Sequence, residues 1–459
     1  MRSSSLLLLV LAAHAGAQSS PADALRHAVR DTTLANGLTV IAIENHAVPL
    51  VTIDVTVKTG AFTQEAGDEG VPHLFEHMLF KSYITDDRQT FQQQVGQLDA
   101  GYNGSTGEEG VNYWVMLPAD NFDNAMALMA QLVRDPVFTD DNLNRERFVV
   151  LDEFHRDESD PIYLMDRAVD MRLWTTSWGR KNPLGETASL WKATPKRLTQ
   201  IFHQYYIPNN AAVVVSGAVT PERVFASARN HFGHWKPAPD PFAASPMPPV
   251  PPLAKSNGVV MEGDVRDVVL FLKWQGPSVA ANRADTYAAD VLSTILDAPG
   301  STFQQHLVDN GLFSSCSVGY QTLAHTGPIT LSAHTSVDSL TDALNELYIQ
   351  LMMLGTGDAF TDEELADARI ARRVQAAFEM DNSTGIAHTA AFWWSVAGLD
   401  YFRDYTDHLQ SVQRADIYQY VQRYLTNQPL VAGVLVPKGK GTTLKPIIAQ
   451  FMNALRATP

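Results

Sequence analysis

Apolar residues recur at helical spacing just after the turn Gly70-Val71-Pro72. Leu74, Met78 and Leu79 fall on one side of a helix, and Pro72 near its first position suits a helix start. The spacing predicts a helix with that side against a core. A longer helix is predicted over Asp140–Phe154, which Asp and Asn residues open and Ser159-Asp160-Pro161 follows. Phe148, Val149 and Leu151 are expected to give it an apolar side. Tyr206-Ile207-Pro208-Asn209-Asn210 is echoed 218 residues on (206 to 424) by Tyr424-Leu425-Thr426-Asn427-Gln428. In both copies a polar helix precedes and a β-branched strand follows, which predicts an internal repeat.

Between the copies lie eight prolines in sixteen residues, 237 to 252. Such a run excludes a helix or a central strand and reads as a semi-rigid spacer. The expected organisation is a domain over 18–236, a Pro-rich linker over 237–255 and a second domain of the same α+β fold over 256–459. Each would be a largely antiparallel sheet with helices packed on one face. At 459 residues the chain is long enough for two full cores.

The N-terminus reads as a secretory signal over 1–17, with Arg2, the apolar run Leu6–Ala13 and small residues at Ala15-Gly16-Ala17. That run is too short to span a bilayer and no later stretch is long enough, so no membrane span is expected. An exported protein follows, periplasmic or secreted. No cysteine follows the cleavage site, which argues against a lipid anchor, and Cys316 alone allows no internal disulfide. The formal charge of −16 argues against nucleic-acid binding, which needs basic patches.

The candidate chemistry sits on the first predicted helix, in His73-Leu74-Phe75-Glu76-His77. Histidines at i and i+4 share a face, so both imidazoles can reach one metal ion, and Glu76 on the same face can hold a water there. Taking about half of the acidic residues as Glu, chance gives roughly 0.02 such matches in a chain of this composition. The order is that of the inverzincin peptidases. Zinc favours two neutral imidazoles, a carboxylate and an open position for water, and a nearby carboxylate can take and return the proton. Glu146 and Glu153, two turns apart on the second helix, share a face and can supply the third ligand.

The region from about Leu34 to Pro161 resembles the pitrilysin family, which includes insulin-degrading enzymes, mitochondrial processing peptidases and half-length bacterial peptidases. The stretches that carry the likeness are Leu34–Ile41, Gly60-Ala61-Phe62 with Glu65, Gly70–Lys81, and a glutamate at 153. The half-length type is similar to the mitochondrial processing peptidase beta subunit. The resemblance implies one Zn2+ per chain held by His73, His77 and Glu153, with Glu76 as catalytic base and Glu146 supporting the ligands. It implies that the chain forms one half of a clamshell. Gly101–Thr106 with Val111–Val115 resembles the family's substrate-binding edge strand, where Asn103 would face a bound peptide. The same Gly/Asn/Ser stretch also reads as a turn between strands.

One departure stands in the second domain. Ser301–Ser314 resembles the family segment that carries an Arg and a Tyr, yet Leu307 and Ser314 occupy those positions. The expectation is an exported zinc metalloendopeptidase subunit acting on unstructured peptides. A homologous partner chain would supply the Arg and Tyr, and a homodimer is possible. The alternative is a non-catalytic scaffold or peptide-binding subunit of such a complex.

Overall fold

Runs of β-branched and aliphatic residues build two sheets in the computed structural model, which describes residues 28–82, 91–379 and 383–457. The signal segment 1–17 lies outside the described residues. The first sheet comprises β1 (Val29–Thr33), β2 (Thr39–Glu44), β3 (Leu50–Val57), β4 (Gly101–Thr106), β5 (Val111–Pro118) and β6 (Ala211–Gly217), in the order β1-β2-β6-β3-β5-β4. The second comprises β7 (Asn257–Gly263), β8 (Val268–Gln275), β9 (Ser315–Tyr320), β10 (Pro328–Thr335) and β11 (Leu430–Pro437), in the order β7-β11-β8-β10-β9. Without β1 the two orders coincide. Only β2–β6 and β7–β11 are parallel, so both sheets are largely antiparallel. The sequence echo at Tyr206 and Tyr424 leads into β6 and β11, which hold equivalent places.

Four helices matter most: α1 (Val71–Lys81), α2 (Asp140–Glu158), α3 (Pro161–Leu173) and α4 (Ser383–Val396). α1 buries Leu74, Phe75, Met78 and Leu79 in a core shared with Val40, Ile53, Val55 and Val213 of the first sheet. Each sheet carries helices of its own half on one face. The opposite face is covered by a helix from the other half. α3 packs on β11, β8 and β7, and α4 packs on β3 and β6. Gly433 in β11 permits the close approach of α3. A Cβ there would lie 2.4 Å from Val169 Cγ2 and 2.8 Å from Met165 Sδ.

A charge in the middle of each sheet fastens its exchanged helix. Buried Lys273 of β8 donates to Asp166 (2.7 Å) and Asp170 (2.8 Å) of α3. Buried Asp54 of β3 pairs with His388 Nδ1 of α4 at 2.6 Å and accepts from Asn112 at 2.9 Å. A third tie crosses at the β4–β5 loop. There buried Glu109 accepts from Arg180, from the Ala324 and His325 backbone N–H groups (2.5 and 3.0 Å) and faces His325 Nδ1 at 2.8 Å. Burial alone would raise the Glu109 carboxyl, but His325 and Arg180 outweigh it and hold it at about 2.

Two local expectations change. Phe148 and Val149 are exposed, and α2 instead buries Leu143, Val150, Leu151 and Phe154. The i, i+7 and i+11 positions of Leu143, Val150 and Phe154 set the buried side. Phe148 lies edge-on to Trp191, with ring centroids 5.5 Å apart. Within the Pro-rich segment, Pro241–Ala244 forms one helical turn. A proline at the first helical position forfeits no hydrogen bond, and Asp240 caps the turn by accepting from Phe242 N at 2.8 Å.

Because the folded pKa of Glu109 is depressed, its stabilisation is full above about pH 4.5 and is lost as pH falls toward about 2. Glu109→Gln should therefore flatten the acid limb of the stability profile. Glu109→Ala, which strands the Arg180 charge, should cost about 3–5 kcal/mol in denaturant unfolding near pH 7. An unchanged midpoint for both variants would show that this tie does not hold the halves together.

Candidate metal centre

One turn of α1 places His73 and His77 side by side, their ring centroids 4.8 Å apart and nearly perpendicular. α2 packs on α1 and brings two carboxylates to the pair. Glu153 Oε2 lies 3.7 Å from His73 Nε2 and 3.5 Å from His77 Nε2. Glu146 lies one step further out, 3.5 Å from His77 Nδ1 and 3.6 Å from Lys81 Nζ. The imidazole of His77 thus stands between two glutamates, one at each nitrogen.

One ligand atom from each of His73, His77 and Glu153 lies within 4.8 Å of the others. Around a tetrahedral zinc with bonds of about 2.0–2.1 Å, ligand atoms sit roughly 3.3–3.5 Å apart. The observed spacings and the two-nitrogen, one-oxygen donor set fit such an ion. Burial, and then the neighbouring His77, push the His73 imidazole down to about 4, so its ring is neutral and its lone pair is free. Burial also works against a charge on His77, but Glu146, Glu153 and Glu76 outweigh it and raise its pKa.

Glu76 occupies a different environment from Glu153. It is buried, and Thr106 Oγ1 of β4 donates to its Oε2 at 2.9 Å. Burial raises its pKa, Thr106 and His77 act the other way, and Glu153 adds to the rise. The strand packs this tightly because residue 104 is glycine. A Cβ there would lie 2.9 Å from both Glu76 Oε1 and Phe80 Cε2.

The arrangement opens into a cleft of about 610 Å³ whose lining comes entirely from residues 73–184. β4 forms one wall and is the last strand of its sheet, so among the described residues one of its edges has no strand neighbour. Gly101–Thr106 is therefore a continuous strand, and the turn lies at 107–110. Asn103 lines the cleft, but its Oδ1 folds back to accept from Gly104 N at 2.9 Å. Sequence reasoning singled out neither Thr106 nor Gly104 as partners of Glu76. A two-residue strand period over Tyr102, Gly104 and Thr106 would have put them on one face toward α1.

Among the described residues, the second half places none in this lining. Leu307 is buried in the second core, and Ser314 sits just before β9 with its Oγ 3.3 Å from His334 O. His306 faces Glu346 at 3.0 Å, and Tyr320 donates to Pro277 O at 3.1 Å.

Residues 39–187 match the family profile described as Insulinase (Peptidase family M16), and residues 192–372 match Peptidase M16 inactive domain. The chain is 24% identical to the zinc protease PqqE of Helicobacter pylori over 95% of this chain and 97% of that protein. Among solved structures, a protease from Helicobacter pylori superposes with a TM-score of 0.79 at 22% identity, covering 89% of this chain and 99% of that one. The periplasmic protease PqqL from Escherichia coli superposes with a TM-score of 0.76 at 17% identity, covering 94% of this chain and 50% of that one. Among the described residues, no helix is long and apolar enough to cross a membrane.

The Glu76 carboxyl should titrate above its usual value near 4.5 in metal-free protein, and Thr106→Val should raise it further by removing the bond to the ionised form. Infrared difference spectra against Glu76→Gln isolate its band. Titration at or below 4.5 would contradict the buried placement.

Proposed function

The chain belongs to the M16 peptidase family, and from that premise we propose that it is an exported zinc metalloendopeptidase acting on unstructured peptides. The observation that carries the reading is the convergence of His73, His77 and Glu153 beside the buried Glu76. In it, His73, His77 and Glu153 hold the zinc and Glu146 orients His77 through Nδ1. When bound, zinc supplies a Lewis acid that polarises a water and the scissile carbonyl.

The protein's own groups do the rest. Glu76 Oε1 accepts the proton of the attacking water, while Oε2 stays with Thr106. Burial raises the proton affinity of Glu76, so it can keep that proton and pass it to the leaving amine. The open edge of β4 can take an extended peptide by main-chain pairing, which tolerates many sequences. Asn103 would release Gly104 N–H to contact that peptide. A segment already built into a stable fold cannot extend along this edge without unfolding.

A partner half completes the reading. Leu307 has no polar side-chain group, the Ser314 hydroxyl donates to His334 O, and among the described residues the cleft is walled by one half alone. A homologous chain carrying an Arg and a Tyr would supply oxyanion donors; a second copy of this chain would not. That PqqL has twice the matched length is consistent with paired halves. Export is supported by the apolar run at Leu6–Ala13 and by the periplasmic origin of that same neighbour. The alternative of a non-catalytic scaffold gains no support from this site, since every ligand-type residue is in place.

Wild-type protein should carry one zinc, lost in His73→Ala, His77→Ala or Glu153→Gln. Glu76→Gln should keep the metal and lose cleavage of an unstructured peptide, with a folded, disulfide-stapled protein left intact by all. Metal analysis alongside the peptide assay decides this, and a fully active Glu76→Gln would sink the assignment.

Titrating a homologous chain that carries the Arg and Tyr should raise turnover ~10²–10³-fold, saturating near one partner per chain. Full activity of the chain alone, unchanged by a partner, would show that other donors serve.

A further inference from the structure

The strand that faces Glu76 is weakly pinned by its own side chains. β4 alternates exposed and half-buried residues and has glycine at 101 and 104, so apolar burial does little to fix its register. Register nevertheless matters at this strand. Gly104 and Thr106 meet Glu76 because they share the face toward α1. A slip of one residue would turn both away and bring Ser105 to that face, where a Cβ at 104 already lies 2.9 Å from Glu76 Oε1.

On the α1 face, Tyr102 packs against Phe80 and Phe91, with ring centroids 5.3 Å from each. The opposite face carries a polar chain. Ser105 stands directly across from Asn112 of β5, and its Oγ donates to Asn112 Oδ1 at 2.5 Å. Asn112 Nδ2 donates in turn to Oδ2 of the buried Asp54 at 2.9 Å. The same oxygen faces His388 Nδ1 of α4 at 2.6 Å, and the His388 ring stands edge-on to Trp114 with centroids 5.3 Å apart. An acceptor at Asp54 requires the NH2 group of Asn112, which leaves the Asn112 carbonyl oxygen to Ser105. The chain thus runs from a helix of the second half to Ser105, which lines the metal cleft.

We propose, on the reading of β4 as the peptide-pairing edge, that Asn112 is a positioning residue for peptide hydrolysis. Oriented by Asp54, it holds Ser105 and so keeps β4 in the register that gives Glu76 its Thr106 partner and presents a straight edge to a peptide. It acts through Ser105 rather than by touching the peptide. A loosened β4 must be ordered again by each peptide that binds, and that cost falls on KM rather than on kcat.

The test compares Ser105→Ala, Ser105→Thr and Asn112→Leu in the full chain by two measurements. Hydrogen–deuterium exchange over residues 101–106 reports the strand itself and needs no activity. Steady-state cleavage of an unstructured peptide reports KM and kcat separately. Ser105→Ala should speed exchange over 101–106 about three- to ten-fold and raise KM by a similar factor, with little change in kcat. Ser105→Thr keeps the hydroxyl and should restore both. In the Asn112→Leu background, Ser105→Ala should add nothing, because the bond is already gone. Ser105 is exposed, so Ser105→Ala decides the matter even where Asn112→Leu, which takes a partner from buried Asp54, folds poorly. Unchanged exchange in Ser105→Ala, no rescue by Ser105→Thr, or a fall in kcat with KM kept would overturn the proposal and leave the peptidase reading standing. Absence of cleavage by the wild type would overturn that reading, and the substrate role of Asn112 with it.

Discussion

The exchange of α3 and α4 between the halves is the constraint on which the rest of the structure depends. A sheet with one bare apolar face must cover it, and here each half covers the other's. Val169 and Met165 sit against Gly433, and Trp393 and Ile386 join the core that reaches Ile41 and Val214 of the first sheet. Neither half could keep its sheet covered alone. The buried pairs Lys273 with Asp166 and Asp170, and Asp54 with His388, add direction to that apolar contact. Breaking one leaves a charge without its partner inside a sheet.

The candidate metal centre inherits this rigidity. α2 carries Glu146 and Glu153 and passes through Ser159-Asp160 directly into α3, which is fixed on the second sheet. The carboxylate end of the site is thus anchored from the far side of the molecule, while the imidazoles are anchored through α1 in the first core. β4 closes the third side with Thr106 and Gly104 against Glu76. Two glutamates near the same imidazole pair can then differ in environment. Glu153 is partly exposed beside both imidazoles. Glu76 is buried and tied to a strand.

The second half repeats the topology without the chemistry. β9 is the counterpart of β4, yet among the described residues no second group of metal-ligating side chains accompanies it, and Leu307 is buried in the core. Its contributions are indirect: a helix for the first sheet, His325 and the 321–327 loop for Glu109, and one wall of a cavity under the prolines. The Pro-rich segment is accordingly more than a spacer. Its prolines roof a cavity that the two halves share.

Some of this protein is written in local order and some is not. Residues 73, 76 and 77 share a face because an α-helix repeats every 3.6 residues, so their grouping follows from spacing alone. The α+β repeat was legible for a similar reason, since Tyr206 and Tyr424 precede equivalent strands. The buried side of α2 was not legible, because Phe148 and Val149 compete with Leu143, Val150 and Phe154, and only packing chooses between them. The contact of Thr106 and Gly104 with Glu76 joins residues thirty apart through a strand edge. The exchange of α3 and α4 leaves no mark in sequence, because an apolar helix face is the same whichever sheet it meets. Sequence determined which side chains could act together on one helix. Tertiary structure decided what stands around them, because burial and charge partners come from chain far away in sequence.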